Sequence, residues 1–198
     1  SAMGALFFVC GAISVVCVLV ITVYLIVAGL PAIQEIGIIP FLTGTEWSST
    51  AAEPKFGILP FILTTVWGTL GAALIGVPVG VLTAIYLSKM APRRMADALR
   101  MGVQLLAGIP SVVYGLVGMT ILVPGMMQWF NLSNGTCLLA AILVLAVMIL
   151  PTVVSVSETA LDAVPREYEE ASMALGATQT ETVFQVSLRA AKGGIASG

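Results

Sequence analysis

Histidine is absent from this 198-residue chain, and cysteine occurs three times, at Cys10, Cys17 and Cys137, with no CxxC pair. Zinc sites and Cys/His nucleophilic chemistry need clusters of those residues, so neither is available. Cys10 and Cys17 lie seven residues apart on one helix face and read as small apolar packing residues. Charge is nearly as scarce. Asp, Glu, Lys and Arg make up 9% of the chain, against about 25% in a soluble domain. Residues 1–34, 56–88 and 101–157 carry none at all. A charge at the centre of a bilayer costs roughly 3 kcal/mol or more, so charge-free stretches of this length belong in a membrane.

What remains is 59% hydrophobic, with a mean hydropathy of +1.07. A spanning helix needs about 20 apolar residues. The three charge-free blocks therefore hold one, one and two spans, predicted at 6–30, 58–88, 102–124 and 137–157. Runs such as Leu138 to Leu150 do not alternate polar and apolar residues, which excludes a β-barrel. The expected class is an all-α integral membrane protein, a single transmembrane domain over 1–198. The first span is too long for a signal-peptide core and lacks a basic start, so it reads as a retained helix ending at Pro31. The opening Ser1-Ala2-Met3 reads as a cloning scar or a cut edge, with native residues expected before it. A polar connection, 31–57, follows the first span, with Trp47 and Phe56 as interface aromatics. A short turn with Asn131, Asn134 and Gly135 joins spans three and four.

Orientation follows from Lys and Arg beside the spans. Lys89, Arg93, Arg94, Arg100, Arg166, Arg189 and Lys192 fall in two segments on one side, and Lys55 alone falls on the other. Segments 89–101 and 158–198 are accordingly expected in the cytoplasm. Four spans put the N-terminus there too, with 31–57 and the Asn134 turn outside.

Several spots allow two readings. Gly76-Val77-Pro78-Val79-Gly80 either permits close helix approach or gives Pro78 room to kink. Asn134-Gly135-Thr136 matches a glycosylation sequon, but an Asn-Gly turn is what the loop needs. Ser111 and Tyr114 lie among Gly108, Pro110, Gly115 and Gly118, where span three is expected to depart from regular helix. They either line a solute path, or Ser111 bonds back to its own helix and Tyr114 packs between helices. Gln104 sits at the inner mouth or faces water near Arg100.

The segment 164–190 is the most legible. Pro165 suits a first helical turn, and Glu167, Glu169 and Glu170 complement the dipole there. Gly176 is placed to end that helix in a left-handed cap. Thr178-Gln179-Thr180-Glu181 spells a capping box that starts a second helix, whose apolar side carries Val183, Phe184, Val186 and Leu188. The prediction is a helix, a tight glycine turn and a second helix on the cytoplasmic surface.

Glu170-Ala171-Ser172, then Gly176, then Val186-Ser187-Leu188 resembles the EAA loop of bacterial ABC-importer permeases, Glu-Ala-Ala, three residues, Gly, nine residues, Ile-x-Leu-Pro. Ser172 stands for the second Ala, Val186 for Ile and Arg189 for the usual Pro. In that family the small residues and the Gly let a short coupling helix dock in a groove of the ATPase subunit. Leu106-Ala107-Gly108-Ile109-Pro110-Ser111-Val112-Val113-Tyr114-Gly115 resembles the signature of the phosphate-specific importer permeases. The stretches Phe41 to Trp47, Phe56 to Phe61 and Ala91 to Arg94 resemble the C-type subunit more than its A-type partner.

The resemblance implies a type I ABC-importer permease fold, here incomplete, in the bacterial inner membrane. Glu170, Ala171, Ser172, Gly176, Val186 and Leu188 would form the ATPase-coupling loop, with Ser111 and Tyr114 on the substrate path. The implied partners are an A-type permease, an ATPase dimer that binds ATP and Mg, a periplasmic phosphate-binding protein, phosphate and membrane lipid. No nucleic acid and no cofactor of this chain's own is expected. The family continues past the coupling loop with further spans, where a Gly-Arg…Gly-Glu stretch is associated with transport. No residue present is nominated as the phosphate-binding cation. The competing readings are a permease for molybdate, sulfate or an amino acid, and a membrane fragment that only assembles with partners. A membrane enzyme is disfavoured, since the spans hold no acid pair and no nucleophile elbow.

Overall fold

A computed structural model describes residues 2–51, 53–131 and 133–196. The chain divides into two compact units, 1–64 and 65–198. Among the described residues, four helical segments are long and apolar enough to cross a membrane: Met3–Ile36, Leu59–Met90, Ser111–Phe130 and Leu138–Asp162.

In the first unit, helix α1 (Ala2–Ile36) runs straight through Pro31, where the sequence led us to expect an end. Proline interrupts a helix less decisively when neighbouring turns re-satisfy the freed carbonyl. The stop comes instead at Gly37, whose φ of +84° suits glycine alone. The connection that follows is folded rather than loose. Helix α2 (Ile38–Thr43) leads to strands β1 (Trp47–Ser48) and β2 (Lys55–Phe56), paired antiparallel with Trp47 opposite Phe56. Trp47 meets Phe56 and Phe61 edge-on, each at 5.6 Å between ring centres. The base of this hairpin is a backbone crossing. A Cβ on Gly57 would lie 2.2 Å from the carbonyl carbon of Gly44, so no side chain fits there.

Helix α3 (Leu59–Ile85) begins in the first unit, and its part in the second presents Gly68, Ala72, Gly76, Gly80 and Ala84 at four-residue intervals, all buried. This row packs on α7 (Leu138–Asp162). A Cβ at Gly76 would sit 2.6 Å from Ile149 Cδ1 and 3.1 Å from the Ala146 carbonyl oxygen. One at Gly80 would sit 2.6 Å from Val153 Cγ1. Of the two readings of Gly76 to Gly80, close helix approach is therefore the one the packing shows, while Pro78 faces outward.

The third apolar helix lies later in sequence than 102–124. Residues 93–107 form a separate amphipathic helix, α4 (Arg93–Ala107), which stops at Gly108. Helix α5 (Ser111–Val117) restarts after Pro110. A π turn over 118–122 follows, and α6 (Val123–Phe130) carries the span on through Pro124. Proline cannot donate and its ring crowds the preceding turn. The widened π turn directly ahead, closed by Val123 N–H on Gly118 O, makes that room. Asn131, at φ +50°, ends the span, and the Asn134 carboxamide oxygen accepts from the Thr136 N–H and hydroxyl at 3.0 and 2.7 Å. The expected turn is present, built as an Asx turn.

The buried core sits at the charged end of this unit. It gathers Ala84, Ile85 and Leu87, Ala96 of α4, Val154 and Leu161 of α7, Val164, Val183 and Ala191.

Gly76→Val should destabilise the protein by about 1–3 kcal/mol through overpacking, read as a lower Tm in mild detergent. Gly102→Ala, with open space at its Cβ on exposed α4, should leave Tm unchanged or raise it. Equal losses from both would show that α3 and α7 do not approach this closely.

Candidate functional site

The charged end is organised by a hairpin that follows α7. Helix α8 (Arg166–Ala174) begins after Pro165 and carries Glu167 and Glu169 in its first turn. It ends in a full Schellman turn. Gly176 has φ +92°, its N–H donates to Met173 O at 3.0 Å, and Ala177 N–H donates to Ser172 O at 3.3 Å. Thr178 then caps α9 (Gln179–Thr182) with the expected box. Its hydroxyl accepts from Glu181 N–H, and its own N–H donates to the Glu181 carboxylate at 2.8 Å. The Thr178 N–H and hydroxyl hold the Glu181 carboxyl below the usual range. A π turn over 183–187 joins α9 to α10 (Leu188–Ala196). Arg189, where the family pattern has Pro, stands in the first turn of α10.

The residues singled out in this segment divide between two faces. Glu170, Ala171 and Gly176 are exposed, together with Met173 and Leu175, the latter 91% exposed. Ser172, Val186 and Leu188 are half-buried on the inner side, and Leu188 packs on the core. The Ser172 hydroxyl lies 3.0 Å from that of buried Thr182, which ties the first helix to the second. The serine at this position thus adds a bond that an alanine could not make.

The residue that organises the inner side, Glu169, is one the sequence assigned only to the helix dipole. Glu169 Oε1 accepts from Lys89 Nζ at 2.7 Å and from Ser187 Oγ at 2.8 Å. Lys89 and Glu169 keep only 12% and 20% of their side-chain surface. Lys89 also offers its carbonyl oxygen to Gln179 Nε2 at 3.2 Å. Burial works against ionisation of Glu169, but the hydrogen bonds from Lys89 and Ser187, with the charges of Lys89 and Arg166, outweigh it and keep its pKa below the ordinary value. One signal pointed here: Lys89 ends a charge-free run of 33 residues, 56–88, where a charge needs a partner. Nothing in the spacing said which of ten carboxylates it would be. Two more ties close the same end, Arg100 Nε to Glu158 Oε1 at 2.6 Å and Ser88 Oγ to Asp162 Oδ1 at 2.5 Å.

Ser111 and Tyr114 lie elsewhere, at the break between α4 and α5. Ser111 is exposed in the first turn of α5. Tyr114 spans the break, its hydroxyl donating to Leu106 O at 2.8 Å. That bond braces the interruption between α4 and α5. Two grooves flank the contact of Gly118 with Val144 on α7, about 390 and 320 Å³. Both are lined without any charged residue. Among the described residues no group of His, Cys, Asp and Glu could hold a metal.

Apolar helices long enough to cross a membrane, joined to a capped, charged hairpin, define a helical membrane-protein class. The family model for the binding-protein-dependent transport system inner membrane component matches residues 76–198, and the chain belongs to that family. Members of this family are permease components, not enzymes. The chain is 41% identical over 184 residues to the probable ABC transporter permease protein YqgH of Bacillus subtilis, covering 92% of this chain and 60% of that protein. It is 30% identical over 204 residues to the phosphate transport system permease protein PstC 2 of Mycobacterium tuberculosis, covering 93% and 63%. A structure of the methionine ABC transporter MetNI in inward-facing form aligns at 25% identity and a TM-score of 0.49, over 71% of this chain and 67% of that one. The chain spans about three fifths of the length of these two curated relatives.

Because Glu169 titrates lower when folded, its contribution to stability is complete above the ordinary Glu pKa of about 4.3 and is lost as pH falls below that. The Tm difference between the unsubstituted chain and Glu169→Gln should therefore be constant from pH 7 to about 4.3 and shrink at lower pH. A difference that grows on acidification would contradict the assignment.

Proposed function

We propose that this chain is a C-type permease subunit of an ATP-driven inorganic phosphate importer in the bacterial inner membrane. The observation that carries the coupling role is the hairpin. A rigid, doubly capped turn presents small and apolar side chains outward at the end where seven of eight Lys and Arg residues gather. That charge bias supports a cytoplasmic hairpin and a cytoplasmic N-terminus. The phosphate assignment is supported by the 106–115 stretch and by the similarity to a phosphate permease.

In this reading, α8 and the Gly176 turn dock on an ATPase dimer, which binds ATP and Mg. An A-type permease completes the path, and a periplasmic phosphate-binding protein delivers the solute from outside. Closure of the ATPase dimer draws the hairpins together and opens the spans outward. The interruption at 108–110 provides non-helical backbone beside the path, with Ser111 at its edge and Tyr114 holding it open. This chain contributes position and coupling, with no bond made or broken on its own side chains.

Gly176→Val tests the coupling role. The site has free space for a side chain, but φ +92° is hostile to a β-branched residue. In the intact transporter the variant should lose phosphate uptake at least tenfold while ATP hydrolysis persists. Full uptake would refute docking through this turn. Stimulation of ATP hydrolysis by molybdate, sulfate or an amino acid in place of phosphate would reassign the solute.

A further inference from the structure

Two of the three π turns among the described residues meet at Glu169. Lys89 comes from the turn at 86–90 that closes span two, and Ser187 from the turn at 183–187 in the second helix of the hairpin. A π turn holds one extra residue and often marks a working position in a helix. Relaxing either turn to regular helix would rotate the residues at its C-terminal end, Lys89 and Ser187 among them, by up to about 100° about the axis. Lys89 or Ser187 would then lose its grip on the carboxylate. Both irregular turns aim a side chain at one oxygen, Glu169 Oε1.

The contact also joins elements far apart in sequence. The hairpin is chained covalently to α7 through 163–165, and α10 packs on α7, with Gly194 against Ala160. Span two has no such covalent link to the hairpin. Lys89–Glu169 and Gln179 Nε2 on Lys89 O supply the polar link, inside an envelope that already excludes most water.

We propose that Lys89, Glu169 and Ser187 form a yoke that makes the hairpin and span two move as one body, with Lys89 and Ser187 as positioning residues for the docking face of α8. This rests on the coupling reading above. If the yoke breaks, the hairpin still docks and ATP is still hydrolysed, but span two no longer follows.

The test is the ratio of phosphate taken up to ATP hydrolysed by the intact transporter in proteoliposomes, with labelled inorganic phosphate. Lys89→Met and Glu169→Gln should each lower that ratio about five- to tenfold, the usual size of an allosteric coupling. The exchange Lys89→Glu with Glu169→Lys should recover at least half of the loss, since the pair is restored with reversed sign. Unchanged ratios in the single variants, or losses that simply add in the double, would overturn the proposal. Should those variants fail to assemble, Ser187→Ala and Lys89→Arg decide it. A lowered ratio for Ser187→Ala with a near-normal one for Lys89→Arg supports the yoke, and an unchanged Ser187→Ala overturns it. If the unsubstituted transporter shows no solute-dependent ATP hydrolysis, the coupling reading falls and the yoke with it. If it is coupled and the variants are too, only the yoke falls.

Discussion

Hydrocarbon does not accept an unpaired charge, and most of this structure follows from that. With three long stretches emptied of Asp, Glu, Lys and Arg, the charges that remain lie in the connecting segments and at the ends of the apolar spans. At the end where most of them collect, they pair across elements, Lys89 with Glu169 and Arg100 with Glu158, and Asp162 accepts a hydrogen bond from the Ser88 hydroxyl. Each tie crosses between segments that are distant in sequence, so the polar end is cross-linked while the apolar shafts are held by shape. Ion pairs on a wet surface contribute little. Half-buried and hydrogen-bonded on more than one side, as Glu169 is, a pair also dictates which neighbours are admissible.

The shafts solve a different problem. Apolar side chains gain nothing by leaving lipid for each other, so helices in a membrane associate through close contact. The row Gly68, Ala72, Gly76, Gly80 and Ala84 lets α3 sink against α7 until Ile149 and Val153 occupy the space side chains would have filled. That approach sets the spacing of the two helix ends, and so decides whether Lys89 and the hairpin can meet at all.

Much of this was legible in sequence because it depends on local chemistry. Gly176 and Thr178 to Glu181 declare a left-handed cap and a capping box through their own spacing, and both are present. The break near Gly108 and Pro110 follows equally from residue type. The failures share one cause. Pro31 and Pro124 were read as ends by their intrinsic preference, yet the helices pass through them, by a π turn in the second case. The stretch 93–107 was divided between a loop and span three. Its amphipathic pattern makes it a helix of its own, with Ala96 turned to the core. The Lys89–Glu169–Ser187 contact was not legible: the small-residue row hints at the depth of α3 on α7, but the two π turns that aim Lys89 and Ser187 have no residue signature. Ser172 shows the same limit: a mild replacement by pattern, it proves to tie the two hairpin helices together through Thr182.

The way the hairpin ends its helices has a further consequence. The Schellman turn at Gly176 and the Thr178–Glu181 box satisfy the backbone groups on both sides of the bend from within. A docking protein is therefore not needed to complete any hydrogen bond there, and the loop does not have to fold upon contact. Ordering a residue's backbone costs roughly 1–2 kcal/mol, and this segment has met that cost before any encounter. Leu175 and Met173 stand exposed and ready-shaped beside the bend, so in the coupling role proposed above, docking and release would not require the loop to melt between cycles.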